Sequence, residues 1–126
     1  MTELMRTLAL FWNQFGVSAY MVSNVPAGAQ LPYITYEVSE PQFNGTAVLT
    51  AYNWHRRDEI SANRDRAELM DKIATALPTG GLMVAVGAGF AILRRNDATF
   101  QQPWMDDLQT DVIGGRTSYL MTLYRP

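Results

Sequence analysis

The sequence contains no cysteine and only one histidine, His55, among its 126 residues. Without cysteine there is no disulfide, no thiolate zinc site and no cysteine nucleophile. With one histidine, a single chain cannot build a multi-histidine metal site, although a carboxylate site for a cation stays open. Long apolar runs are also missing: no stretch approaches the ~20 residues that cross a bilayer as a helix. The first fifteen residues carry Glu3, Asn13 and Gln14 and do not read as a signal peptide, so the expected place of synthesis and assembly is a cytoplasm. Lysine is nearly absent, with Lys72 standing beside nine arginines. Arginine suits fixed, bidentate pairing with carboxylates, a bias that fits specific interfaces. The net charge is −2, so no global basic field exists to hold nucleic acid.

What is present fits one folded domain. Hydrophobic residues make up 48% of the chain and charged residues 17%, a composition too apolar and too weakly charged for disorder. At this length folding buries roughly two-thirds of the unfolded surface, enough for a core without staples.

Residues 2–15 read as a helix, because Leu4, Leu8, Phe11 or Trp12, and Phe15 recur at helical spacing. Thr2 can cap it, Glu3 suits its first turn, and Gly16 is a natural stop. A short strand is expected over 17–22, followed by a loop containing Pro26 and Gly28. Residues 33–38 read as a strand with Ile34, Tyr36 and Val38 on one face. Asn44-Gly45 is a hairpin turn signal, and the strand after it alternates Val48, Thr50, Tyr52 and Trp54 against Leu49, Ala51, Asn53 and His55. These two strands are expected to pair antiparallel, with the connection projecting as an arm.

Residues 61–77 form the clearest helix, with Leu69, Ile73 and Leu77 on one face and Arg64, Glu68 and Lys72 on the other. Ser61 or Asn63 can cap it and Pro78 ends it. "LMVAV" and "FAILRR", around Gly87-Ala88-Gly89, suggest two short strands or one bent strand. Residues 96–111 are polar and broken by Pro103, so they read mostly as loop, with room for a short strand near Phe100. A last strand is expected over 115–124, with Thr117, Tyr119, Met121 and Leu123 on one face. The order predicts an α+β fold: a single domain with a mainly antiparallel, mixed sheet, a long β-hairpin, and two helices packed against it.

The run "WHRRDEISANRDRAELM" raises a question of chemistry. His55, Arg56, Arg57 and Asp58, then Asn63 after four residues, look like a protein-kinase catalytic loop with one residue inserted. A kinase also needs a glycine-rich loop, a strand lysine and a DFG aspartate. The only lysine lies inside a predicted helix and no DFG exists, so the kinase reading fails. Asp58 and Asn63 are better taken as residues that satisfy free N–H groups where the helix begins.

Other sites fare little better. A nucleophilic triad would have to use His55, and no G-x-S-x-G elbow accompanies it. Gly87-Ala88-Gly89 opens like a dinucleotide fingerprint, but Ile92 stands where its third glycine belongs. Asp106, Asp107 and Asp111 can meet a cation, but they read more simply as a solvated acidic loop. Arg56, Arg57, Arg64 and Arg66 near Trp54 have the elements of a single-strand grip. The interleaved Asp58, Glu59, Asp65 and Glu68 largely cancel that charge, which favours a protein–protein contact of alternating sign.

Taken in order, the pieces resemble a known family. A short amphipathic helix leads through a proline-bearing loop into "LPYITYEV". The hairpin "FNGTAVLTAYNWHRRD" follows, then the helix "NRDRAELMDKIATALP", a glycine turn and strands ending in "TSYLMTLY". This succession, over nearly the whole chain, is similar to the tail-terminator (tail-completion) proteins of long-tailed bacteriophages, small proteins of the neck region. Pro32-Tyr33-Ile34-Thr35-Tyr36 and the run from Val48 to Leu77 carry most of the likeness.

The resemblance implies a mixed sheet with helices against it and a structural role in the virion neck, after assembly in the host cytoplasm. It implies a ring, commonly a hexamer, that caps the tail tube, stops its polymerisation and offers a surface for joining the head. Its partners would be further copies of itself, the tail-tube protein and a head-completion protein, with DNA only passing through the lumen. It implies no catalytic, cofactor or metal residues. Another head-tail joining protein of the neck is the alternative. A small hydrolytic or ligand-binding domain built on His55, or a DNA-binding module, is more remote.

A ring needs two complementary surfaces on each subunit. Three candidates stand out: the mixed-sign segment with Arg56, Arg57, Asp58, Arg64 and Arg66; the outer face of the hairpin with Tyr52 or Asn53, and Phe43 on its arm; and the loop 99–107 with Phe100, Trp104 and Met105.

Overall fold

The computed structural model describes residues 2–38, 45–96, 100–107 and 111–125, with backbone alone at 103–107. The first helix, α1 (Thr2–Trp12), buries Leu4, Leu8, Phe11 and Trp12, the stripe expected of an amphipathic helix. Its last turn tightens into a 3₁₀ turn at Asn13–Phe15 and stops at Gly16, whose φ of 86° is a left-handed stop that glycine adopts without strain. Asn13 fixes this end to the next strand: its Nδ2 donates to Ala9 O at 2.7 Å and its Oδ1 accepts from Ala19 N at 3.0 Å.

Seven strands follow, namely β1 (Ser18–Met21), β2 (Tyr33–Glu37), β3 (Thr46–Arg56), β4 (Leu82–Val86), β5 (Gly89–Arg95), β6 (Gln101–Asp107) and β7 (Val112–Tyr124), with α2 (Ala62–Ala76) between β3 and β4. They form one sheet in the order β1-β2-β3-β7-β5-β4, with β6 also on β7. Only β1 and β2 run parallel; every other pairing is antiparallel. The expected fold class holds: an α+β domain in which two helices pack on a mixed sheet.

The long strand β7 organises the sheet. One edge pairs with β3 along its length, from Val112↔Arg56 to Thr122↔Thr46. The other is shared, with β6 taking Val112–Thr117 and β5 taking Tyr119–Tyr124.

Two strand boundaries differ from expectation. Residues 101–107 are a strand despite Pro103, because Pro103 falls where the register with β7 shifts, between Gln102 and Met105. A proline is tolerated at such an irregularity, and among the described residues β6 pairs only with β7, so the missing N–H breaks no second ladder there. The last strand begins at Val112, before Gly114 and Gly115, which weaken a strand by composition alone. Here they are required by packing. A Cβ on Gly114 would lie 2.6 Å from Asn53 O, and one on Gly115 would lie 2.7 Å from both Asn53 Oδ1 and Met70 Sδ. Asn44 and the arm residue Phe43 lie outside the described residues.

Both helices cover one face of the sheet. Ile34, Tyr36, Leu49, Ala51, Ala91, Leu93, Tyr119, Met121 and Leu123 meet α1 and the Leu69, Ile73 and Leu77 side of α2. Trp12 sits at the centre, fully buried. Its ring lies 5.4 Å from Tyr119 and 6.3 Å from Tyr36, and its Nε1–H donates to Tyr119 Oη at 3.2 Å. That hydrogen bond gives the buried indole N–H an acceptor in the Tyr119 oxygen.

Candidate interaction surface

The opposite face of the sheet carries none of the helical packing. Strand alternation sends Thr46, Val48, Thr50, Tyr52 and Trp54 of β3 to it, because their neighbours Leu49, Ala51, Asn53 and His55 are buried under the helices. The same alternation adds Tyr33 and Thr35 from β2, Phe90 and Ile92 from β5, and Arg116, Leu120 and Tyr124 from β7. The rings pair off. Tyr52 and Trp54 stack at 5.6 Å and 17°, Phe90 and Tyr124 stack at 4.8 Å and 19°, and Tyr20 meets Tyr33 edge-on at 5.9 Å. Trp54 Nε1–H donates to Thr35 Oγ1 on β2 at 3.0 Å, while the other edge of the indole lies over Gly114 of β7, so the ring reaches across the strands. Val48 is 59% exposed and Met83 68% exposed. Arg116 lies across from Tyr52, and its buried Nε has no hydrogen-bond partner among the described residues.

The segment from Trp54 to Met70 divides between outside and inside. Outside, Arg56 donates from Nε and Nη2 to both carboxylate oxygens of Asp58, each at 3.2 Å. This pairing raises the pKa of the guanidinium still further, chiefly through the hydrogen bond to Asp58. Arg57 Nη2 donates to Val112 O at 3.3 Å. Arg64 lies 3.8 Å from Asp65 and 3.9 Å from Glu68, both loose exposed pairs.

Inside lie His55 and Arg66. Arg66 is a correction to the expected charged outer face: it is only 3% exposed. Its Nη1 donates to Gly114 O at 3.4 Å and its Nη2 to Asn63 Oδ1 at 2.8 Å. The periodicity explains this, since Ala62, Arg66, Leu69, Met70 and Ile73 form one buried stripe and Arg66 falls within it. The helix start also differs from expectation. Asn63 accepts from Arg66, Asp58 holds Arg56, and Ser61 Oγ donates to Asp65 Oδ2 at 2.8 Å, so none of the three caps α2 with its side chain.

His55 is buried at 4% exposure, with Nε2 3.0 Å from Asn53 Nδ2. Burial lowers its pKa most; Asp65 pulls it up and Arg66 pushes it down. A small cavity of about 100 Å³ beside it is lined by Leu31, Pro32, Glu59 and Asp65. Ser61 spends its hydroxyl on Asp65, not on the imidazole, so no nucleophile–base pair forms here. Among the described residues no group of three or more His, Asp or Glu side chains is arranged to hold a metal ion.

The remaining candidates scatter. Phe100 is half-buried against the core, with the Arg95 guanidinium 4.5 Å above its ring. Trp104 and Met105 lie in β6, and their side chains are outside the described residues, as is Phe43. Tyr52 joins the open face, while its neighbour Asn53 is buried. Sequence reasoning missed the partners that make Tyr52 part of a surface, namely Tyr20, Tyr33, Phe90 and Tyr124. Each stands on a strand whose alternation was legible, but which strands are neighbours was not. Comparison with protein-family models, with curated proteins and with solved structures finds no match for this chain.

Proposed function

We propose that this chain is a structural subunit of a bacteriophage neck, a ring-forming protein of the tail-terminator kind that caps the tail tube and receives the head. The observation that most supports self-assembly is the open sheet face. Three aromatic pairs, with exposed Val48 and Met83, lie together on the side the helices leave uncovered. Aromatic and exposed apolar residues gathered on an uncovered face are a mark of interaction sites. A ring also requires a second, different surface on each subunit. The exposed Arg56–Asp58 and Arg64–Glu68 pairs offer alternating charge that sets register and excludes wrong partners. The α+β fold, with helices against a mixed sheet, agrees with what the resemblance implies.

The test is mass in solution, measured for the protein alone and with purified tail tubes. A ring, formed alone or on the tube end, and tails of fixed length are expected. A strictly monomeric protein that neither binds tube ends nor changes tail length would sink the proposal. Binding to a portal-side partner in place of the tube would move the protein to the head-completion side of the neck.

A further inference from the structure

At one end of α2 the protein buries an imidazole and a guanidinium side by side. His55 projects from β3 onto the helix-bearing face and keeps 4% of its surface; Arg66 keeps 3%. From its own strand the imidazole meets Asn53, and Arg56 lines the cavity beside it. From α2 it faces Asp65 and Arg66, one charge of each sign. The turn before α2 adds Glu59 to the cavity wall, and the chain before β2 adds the apolar Leu31 and Pro32. From β7 its cross-strand neighbour is Ile113, which carries no charge.

The other end of α2 is held by different means. Arg95 donates to Leu77 O at 2.6 Å and to Ala74 O at 2.8 Å, and at the middle of the helix Gln101 donates to Met70 O at 2.9 Å. No histidine takes part there.

We propose that His55 is an acid-sensitive latch whose protonation frees the N-terminal half of α2, and the turn before it, from β3 and β7 while the C-terminal half stays docked. Two features of the geometry drive this. A proton on the ring sets a second buried cation beside Arg66, and the carboxylate of Asp65 offsets only part of the cost of burying it. The imidazolium also donates from both nitrogens, so Nε2–H meets the Asn53 Nδ2 donor head-on. Turning the amide would put the Nδ2 group where Asn53 Oδ1 now sits without a partner, beside the Met70 thioether, which is only a weak acceptor.

The sign of the linkage follows. Burial, the largest influence, holds the folded pKa below the ordinary 6.5, so the opened segment binds the proton better. The docked state keeps its full stability above pH 6.5 and loses it as pH falls from there through the depressed folded value. One proton limits the change to about tenfold in the docked-to-open ratio per pH unit.

Because His55 is the sole histidine, its ring resonances titrate alone in the NMR spectrum of the whole chain. A midpoint below 6.5 is expected, with amides of residues 57–66 shifting at the same midpoint and those of 72–77 not. Amide exchange from about pH 7.5 to about pH 5, corrected for intrinsic rates, should show protection over 60–66 falling by up to about tenfold per unit. Protection over 71–77 should persist, and His55→Gln should flatten the pH dependence. The proposal is overturned by a midpoint at or above 6.5, by α2 losing protection as one unit, or by an unchanged pH dependence in His55→Gln. The ring titration and the regional amide exchange need no variant, so together they decide the matter even if that substitution prevents folding.

Discussion

On one side of β3, Leu49, Ala51, Asn53 and His55 lie under the helices; on the other, Val48, Thr50, Tyr52 and Trp54 remain half-exposed or exposed. The two faces share a backbone and differ in how their rings are used. Beneath the helices, Phe11, Phe15, Tyr36 and Tyr119 surround Trp12, which is bonded through its indole N–H. On the open side the rings meet in pairs, and in two of the three pairs the rings are nearly parallel to each other. A domain of this size needs one packed face to fold. The apolar residues on the second face exceed that need, and the proposed ring would use them between subunits.

Substitutions on the two faces should therefore separate stability from association. Trp12→Ala should have the largest effect on folding, about 3–5 kcal/mol, because it empties the centre of the core; chemical denaturation measures it. Gly114→Ala comes next. Its Cβ would press on Asn53 O at 2.6 Å and on the Trp54 ring at 2.8 Å, a loss of about 1–3 kcal/mol. Since it also tilts Trp54, its association should weaken along with its denaturation midpoint. Val48→Ser combined with Met83→Ser should reverse the balance. Stability should move by no more than about 1 kcal/mol, while sedimentation shows self-association lost. If these serines leave assembly intact, the open face is not the seam. Arg56→Ala should leave the denaturation midpoint unchanged, since its pair with Asp58 is exposed on both sides.

Much of the covered face was legible in the sequence because burial imposes periodicity. The α1 stripe, the alternation along β2 and β3, and the Thr117-Tyr119-Met121-Leu123 row all follow from it. Arg66 was legible too, at the right spacing between Ala62 and Met70; its charge argued for the surface and its position for the interior, and position prevailed. Residues 101–107 were not, because Pro103 reads as a breaker unless the register shift is known. Nor was the start of β7, where glycine looks like a turn until the close approach of Asn53 and Met70 is seen. The open face was the least legible part. Its rings come from strands far apart in sequence, and only the order of the sheet unites them.

The sharing of β7 bears on how the chain acquires its shape during synthesis. Before residues 112–124 emerge, β3 has no link to β5, and β6 has no strand to join. The nascent chain can form only two fragments, β1-β2-β3 and the β4–β5 hairpin, each with an unpaired edge. Closing them requires contacts between residues such as Thr46 and Thr122, whose hydroxyls end 3.1 Å apart after 76 positions of chain. Distant pairings of this sort slow folding and prolong the exposure of sticky edges. The described strands therefore stay in two separate ladders until β7, the last of them, is there to join them.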